Sequence, residues 1–455
     1  MKSYKLLVAG LLAAMTASVA LADPLNPTYI RFTGSSAFRA SAVKAIENKL
    51  TAGYKVAADK TSTASATYAT YVGTLASGGA DVVIQTSWTG SVDGIRDITT
   101  GVSNTYITAA ATTTAGGTNP ASLTATSLTG NTETAVADIA MSDNLQSSTS
   151  YKTPALTQTN VGVVPFVFAK GRLASGHAYT SAWANLTNIS PAGARGLFNN
   201  GTYLSILTGS TDSAWTAYYN AGGFDGEDLR CKVYALGRNP FSGTRVVTFT
   251  ETGFGTSASA FQYKGWLSGN TTYTAVQTVV ASDTINTVRQ YPAQTVSGQA
   301  FAAGNNGFSS GGTLATELSA KVGSAAVDAN GNPFGLVGYM GTSDAASLLK
   351  SINSTTGTDT SYILSYNGVS LPATYNNAAQ TTSWDYTAVK EGKYTLFGNE
   401  YLSYNASTLT TGSVKRVFAD AVALEIKTNT ASLAGVLLSD MKVDRSSEGS
   451  LITAK

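Results

Sequence analysis

The sequence predicts an α/β fold with largely parallel sheets, organised as two domains in an exported chain. Three observations point there. Short polar turns repeatedly follow an apolar strand-like run and precede a stretch with helical spacing. A length of 455 residues exceeds what one hydrophobic core usually serves. The chain also opens with a secretory leader.

The leader reads MKSYKLLVAGLLAAMTASVALAD. Lys2 and Lys5 are followed by an apolar run from Leu6 to Ala20, and Ala20-Leu21-Ala22 has the small-x-small pattern of a cleavage site. Residues 1–22 are therefore expected to be a signal peptide, leaving a chain that begins at Asp23. The run is too short for a membrane anchor, no cysteine follows it to carry a lipid, and no later stretch is apolar enough to span a bilayer. The expected location is the periplasm, with the cell surface or the medium as alternatives.

Next comes YIRFTGSSAFRASAVKAIENKL, predicting a strand over Tyr29–Phe32, a Gly-Ser-Ser turn and a helix. That helix takes its apolar stripe from Ala40, Val43, Ile46 and Leu50. DVVIQTSWTGSVDGIRDI repeats the plan, with a strand over Val82–Thr86 and a helix starting near Asp93. VADIAMSDNL supplies a third strand and turn. Between the second and third turns a Thr/Ala/Gly-rich insertion, about residues 99–135, has no clear period and reads as a surface loop or an added hairpin. NVGVVPFVFAKG is a continuous apolar strand that crosses into the second domain. There NISPAGARGLFNNG is helical, CKVYALGR a strand, SGTRVVTFTETGF the start of a helix, and FGLVGYMGTSDA a strand with its turn. After Ala345 the chain is expected to return to the first domain, where GKYTLFGNEYLSY leads to a helix around VKRVFADAVALEI.

Composition narrows the function. Lys plus Arg number 29 against 27 Asp plus Glu. Removing Lys2 and Lys5 with the leader brings the rest near neutrality, which makes it a poor binder of nucleic acid or anionic membrane. The single cysteine, Cys231, rules out an internal disulfide and is expected as an inert buried thiol. The one histidine, His177, would have to serve any Ser-His-Asp triad or His/Cys metal cage alone, so no enzyme, metal or cofactor is predicted.

The turns carry the chemistry. In open α/β sheets ligands bind outside the carboxyl ends of strands, and the unpaired N–H groups of a helix N-terminus attract anions. Gly34, Gly90 and Gly243 let the backbone come close, while Ser36, Ser91, Ser242 and Thr244 offer hydroxyls. In GRNPFSGT, Arg238 adds one planar guanidinium that suits a tetrahedral oxyanion, although a Ser-Gly-Thr turn also serves as an ordinary helix cap. Asp143, at the end of DIAMSD, has two readings. It closes a turn or caps the next helix, or it accepts a hydrogen bond from a ligand that still carries a proton, as phosphate does and sulfate does not.

In order, TGSSAF, TGSVDGI, DIAMSD, GRNPFSGT and GLVGYMGTSDA resemble the periplasmic phosphate-binding proteins of ABC transporters, over most of the chain after the leader. The resemblance implies a two-lobed class II periplasmic-binding-protein fold. Its ligand cleft lies between two α/β domains joined by two crossover strands. Lobe 1 would comprise residues 23–165 and 346–455, and lobe 2 residues 166–345. It implies capture of inorganic phosphate by a monomer that delivers it to a transporter permease, with no catalysis and no cofactor. Carried over residue by residue, Ser36 is the hydroxyl donor of the first turn and Ala37 gives a backbone N–H. Ser91 is the serine of the second turn and Asp143 the acceptor. Arg238, Ser242, Gly243 and Thr244 are the arginine and the Ser-Gly-Thr donors.

The chain departs from that pattern in three places. Pro240 stands where the family often has an acidic residue two positions after the arginine. Val92 and Asp93 replace small residues beside Ser91, and Asp93 brings a negative charge that either faces the ligand or faces away. The interval from Ser91 to Asp143 is longer than the family's because of the insertion. Two other functions are carried forward: a surface or adhesion protein reusing the scaffold, suited to the insertion, low charge and 23 tyrosines, and a phosphate-processing hydrolase, for which no Asp/His set is spaced to hold a metal.

Overall fold

A computed structural model describes residues 26–114, 121–122, 128–209, 231–270, 272–273, 277–353 and 357–455. The leader lies outside the described residues, as does part of the insertion. The elements that position the site are, in chain order, β1 (Thr28–Gly34), α1 (Arg39–Asn48), β2 (Asp81–Ser87), α2 (Ser91–Thr100), β3 (Ile139–Ser142), β4 (Thr157–Lys170), β5 (Lys232–Leu236), α3 (Gly243–Glu251), β6 (Tyr263–Leu267), α4 (Gly311–Leu318), β7 (Phe334–Gly341), α5 (Thr342–Asn353), β8 (Ile363–Tyr366), β9 (Phe397–Tyr404) and α6 (Val414–Thr428).

Two sheets of matching order result. The first runs β2–β1–β3–β9–β4, with β2, β1 and β3 parallel and β9 antiparallel to both its neighbours. The second runs β6–β5–β7–β4–β8, where β4 takes the antiparallel place. In each, the first parallel strand, β1 or β5, stands second and is flanked by the next two parallel strands. The α/β fold read from the turns, and the two-lobed arrangement that the resemblance implies, are thus the ones observed.

β4 links the sheets. Its residues up to Pro165 pair with β9, and from Phe166 onward it pairs with β7. The sequence explains this dual membership. The first four residues alternate between exposed and half-buried, while the ten from Val161 to Lys170 are all buried, as in a strand covered on both faces. β7 and β9 are buried along their whole lengths for the same reason. β8 still pairs with Phe168 and Ala169 of β4 and with Asn188 and Ile189, so the chain reaches the first sheet again only at β9.

Helices cover the sheets, several with the caps their sequences suggest. Ser190 accepts from the Gly193 N–H ahead of the helix Pro191–Phe198, and Ser413 accepts from the Arg416 N–H at the start of α6. One feature goes beyond the sequence reading, and another answers to its hairpin alternative for the insertion. Strands Lys55–Ala58 and Tyr68–Thr74 extend the first sheet beyond β2 in antiparallel fashion. Within the insertion, Ser103–Ile107 pairs antiparallel with Thr132–Val136, forming the base of a hairpin arm.

Candidate oxyanion cleft

Each turn is held open by a local requirement. β1 ends at Gly34, whose φ of 113° and close approach to the Met141 carbonyl leave no room for a side chain. The Gly34 carbonyl accepts from the Gly90 N–H (2.9 Å), and the Ser35 N–H donates to Met141 O (2.8 Å), tying the first, second and third turns together. Gly90, at φ 134°, precedes α2, which begins at Ser91, two residues before the start expected at Asp93.

On the other lobe Ser242 precedes α3 with an extended backbone, so the first N–H groups of that helix lack intrahelical partners. The Val92 N–H donates to the Phe241 carbonyl (3.0 Å), bringing the two helix N-termini against each other across the lobes.

These turns close on a narrow cleft lined by Ser35, Ser36, Ala37, Gly90, Ser91, Asp143, Arg238, Ser242 and Thr244. All seven of the side-chain and turn positions singled out in the sequence apart from Gly243 are on that wall, and Gly243 abuts it. A Cβ on Gly243 would stand 2.6 Å from both Asp143 Oδ1 and Ser91 Oγ. The Ser91 hydroxyl donates to Asp143 Oδ1, and the Thr244 hydroxyl approaches Asp143 Oδ2 at 3.4 Å. Ser242 Oγ is buried with no hydrogen-bond partner among the described residues. The Ala37 N–H is engaged by Ser35 Oγ (3.2 Å). Ser35 was missed in the sequence, although it stands in the same TGSSAF motif and is the more buried of the two serines.

Arg238 is 2% exposed. Its Nε donates to Phe308 O (3.2 Å), Nη2 to Ser309 O (3.0 Å) and Nη1 to Thr244 Oγ1 (3.4 Å). No carboxylate among the described residues lies within ion-pair distance of it. Burial pulls its pKa down, opposed first by the charge of Asp344 and then by that of Asp143. Asp143 is the reverse case. Burial raises its pKa, and its own backbone N–H, hydroxyl donors and Arg238 pull the other way. Glu400, whose strand neighbour Tyr401 pairs with Ser142, is fully buried and pushed well above the usual carboxylate range by burial and by Asp143. The chemistry on offer is one cation, several hydroxyl and amide donors, and one strong acceptor.

Asp344, on the first turn of α5, is the charge the sequence reading left out. It lies in the quoted GTSDA segment, but nothing local ties it to an arginine 106 positions earlier. A Cβ on Gly311 would collide with Asp344 Oδ2 while standing 3.3 Å from Arg238 Nη1. Only a bare glycine separates the two groups.

Asp93 turns away from the cleft. It pairs with Arg96 (2.6 Å) and accepts from Ser297 Oγ (2.9 Å). Ser297 and Gly298, both at positive φ, form the two-residue tip of the hairpin Gln294–Val296/Gln299–Phe301 of the second lobe. Phe301 packs edge-on against Phe241 (5.6 Å), beneath the guanidinium of Arg96 (5.3 Å). Burial pushes Asp93 up to about 7, with Arg96 and Ser297 opposing and Asp97 adding to the rise. A carboxyl raised on folding costs stability once ionised, so the loss accrues as pH climbs from about 4, its unfolded value, to about 7. Asp93→Asn is expected to flatten the decline of Tm over that window, and thermal melts of both proteins at half-unit pH steps check it. A parallel decline in the two would show that another group carries it.

No protein-family model and no curated protein matches the chain. Solved structures do. One, assigned as a phosphate ABC-transporter substrate-binding protein from Clostridium perfringens with bound phosphate, is 11% identical over 90% of this chain and 99% of that one, with a TM-score of 0.39. A phosphate-binding protein from Stenotrophomonas maltophilia is 14% identical over 89% and 84%, with a TM-score of 0.32. Likeness this distant identifies no ligand. No described helix is long and apolar enough to cross a membrane.

Proposed function

We propose that this is an exported solute-binding protein that captures inorganic phosphate between its lobes and passes it to the permease of an ABC transporter, without catalysis. Lobe 1 would comprise residues 23–165 and 346–455 and lobe 2 residues 166–345, although β8, within the first range, pairs in the second sheet; β4 changes partners at residue 166. The observation that supports the reading is the convergence of four turns, three from the first lobe and one from the second, on a cleft pairing one buried arginine with one buried aspartate.

Arg238, Ser242, the amides at Gly243 and Thr244, Ser91 and the first turn at Ser36 and Ala37 donate to the anion. Asp143 accepts a hydrogen bond from the O–H that phosphate retains and sulfate lacks. A fully ionised anion would instead meet a carboxylate with nothing to offer it.

The test is calorimetric titration with phosphate and sulfate at pH 6 and pH 8, after unfolding and refolding to strip carried-over ligand. Tight binding of phosphate alone is expected, and a folded protein that takes neither anion would end the transport reading in favour of the surface-assembly one. Asp143→Asn should lose phosphate affinity by roughly ten- to a hundredfold and narrow the gap to sulfate, since an amide can donate to either anion. An unchanged preference in that variant would remove Asp143 from its role.

A further inference from the structure

The cleft has one arginine but two carboxylates in its field, and the second has no place in the binding scheme above. Asp344 stands behind Arg238, across the bare Cα of Gly311. Its charge is the largest favourable one felt by Arg238. On its other side it feels Arg39, at the start of α1 in the first lobe. Gly341, three residues before Asp344, brings α5 against the first turn, where a Cβ would meet Ala37 Cβ at 3.7 Å. Asp344 is therefore held between the two lobes, near the anion but off the wall of the cleft, whose lining does not include it.

A charge in that place acts on the ligand through the field and not through a hydrogen bond. Its repulsion scales with ligand charge, so a dianion is penalised about twice as much as a monoanion at the same distance. We propose that Asp344 is a specificity-determining residue that biases the cleft toward singly charged, hydrogen-bearing oxyanions by offsetting the field of Arg238. The inference rests on the oxyanion-binding reading. It adds a second filter to the one at Asp143, which selects for a proton, whereas Asp344 selects against net charge. The groups that set its field are Arg238 and Arg39, with Asp143 and Tyr339 facing Arg238 from the cleft wall and from β7.

A purely structural role is the competing account, because an acidic residue in the first turn of α5 complements the helix dipole. Asp344→Asn separates the two. The isosteric amide should favour dianions over monoanions by about tenfold relative to the native protein. The readout is the ratio of phosphate affinities at pH 8 and pH 6, between which phosphate passes from mainly monoanion to mainly dianion, together with sulfate affinity at both. Arg39→Gln removes a positive charge from the far side and should move the same ratio the opposite way. Thermal melts confirm that each variant is folded. A ratio unmoved in both folded variants, with affinity lowered equally for every anion, would reduce Asp344 to a helix-end residue while leaving phosphate capture intact. Native protein that binds neither anion would overturn both the capture reading and this inference.

Discussion

Arg238→Ala is expected to weaken phosphate binding by roughly ten- to a hundredfold, the worth of a charge-assisted hydrogen bond in a water-poor site. Arg238 is the one guanidinium on the cleft wall. Burial pulls its pKa down, yet a guanidinium remains charged at any working pH. Two of its donors are already committed to the Phe308 and Ser309 carbonyls, which fixes the plane of the fork before any ligand arrives. That preorganisation is why Arg238→Lys should recover only part of the affinity. An ammonium supplies the charge without the fixed planar geometry. Calorimetry on all three proteins gives the answer, with melting curves recorded because truncation also strands two carbonyls. Native-like affinity in the alanine variant would mean that the anion is held elsewhere.

The second large effect is expected at a residue with no side chain. Gly243 opens α3 at an ordinary negative φ, so its backbone accepts any residue. What forbids a Cβ is the opposite lobe, at 2.6 Å from both Asp143 Oδ1 and Ser91 Oγ. Gly243→Val should leave each lobe folded and block their approach, lowering phosphate affinity by at least about a hundredfold, because donors and acceptor no longer meet around one ligand. Small-angle scattering should show a larger radius of gyration than native protein under saturating phosphate, with an unchanged circular dichroism spectrum. Native compaction and affinity in Gly243→Val would show that the lobes tolerate the added bulk.

How much of this was legible in sequence depends on the range of the interaction. The strand–turn–helix units around Ser36, Ser91 and Ser242 were readable because each is encoded within about ten consecutive residues. Apolar runs, a glycine where φ is positive, and a helical period all fall in one window. The strands Lys55–Ala58 and Tyr68–Thr74 were not, since their Thr/Ala/Gly-rich surroundings carry no alternation and their strand state is imposed by pairing, of Tyr68–Thr74 with β2 and of Lys55–Ala58 with Tyr68–Thr74. The start of α2 fell two residues early because Gly90 turns the chain, which a helical period centred on Ile95 and Ile98 does not report. Asp344 and Ser297 were out of reach for a different reason. Each matters only through a partner on a distant part of the chain, Arg238 in one case and Asp93 in the other. The departure at Pro240 reads as a missing counter-charge in sequence, and in space the strongest favourable charge on Arg238 sits on α5 instead.

The hairpin tip at Ser297 has a bearing on timing. Its contact with Asp93, and that of Arg96 with Phe241, join the lobes at a point off the wall of the cleft. If the cleft captures an anion as proposed, contacts of this kind would add nothing to recognising it. They would hold the lobes together once it is inside, and so lengthen its dwell time. A docking partner that pried up this one two-residue tip could release the cargo without competing for a single hydrogen bond in the cleft.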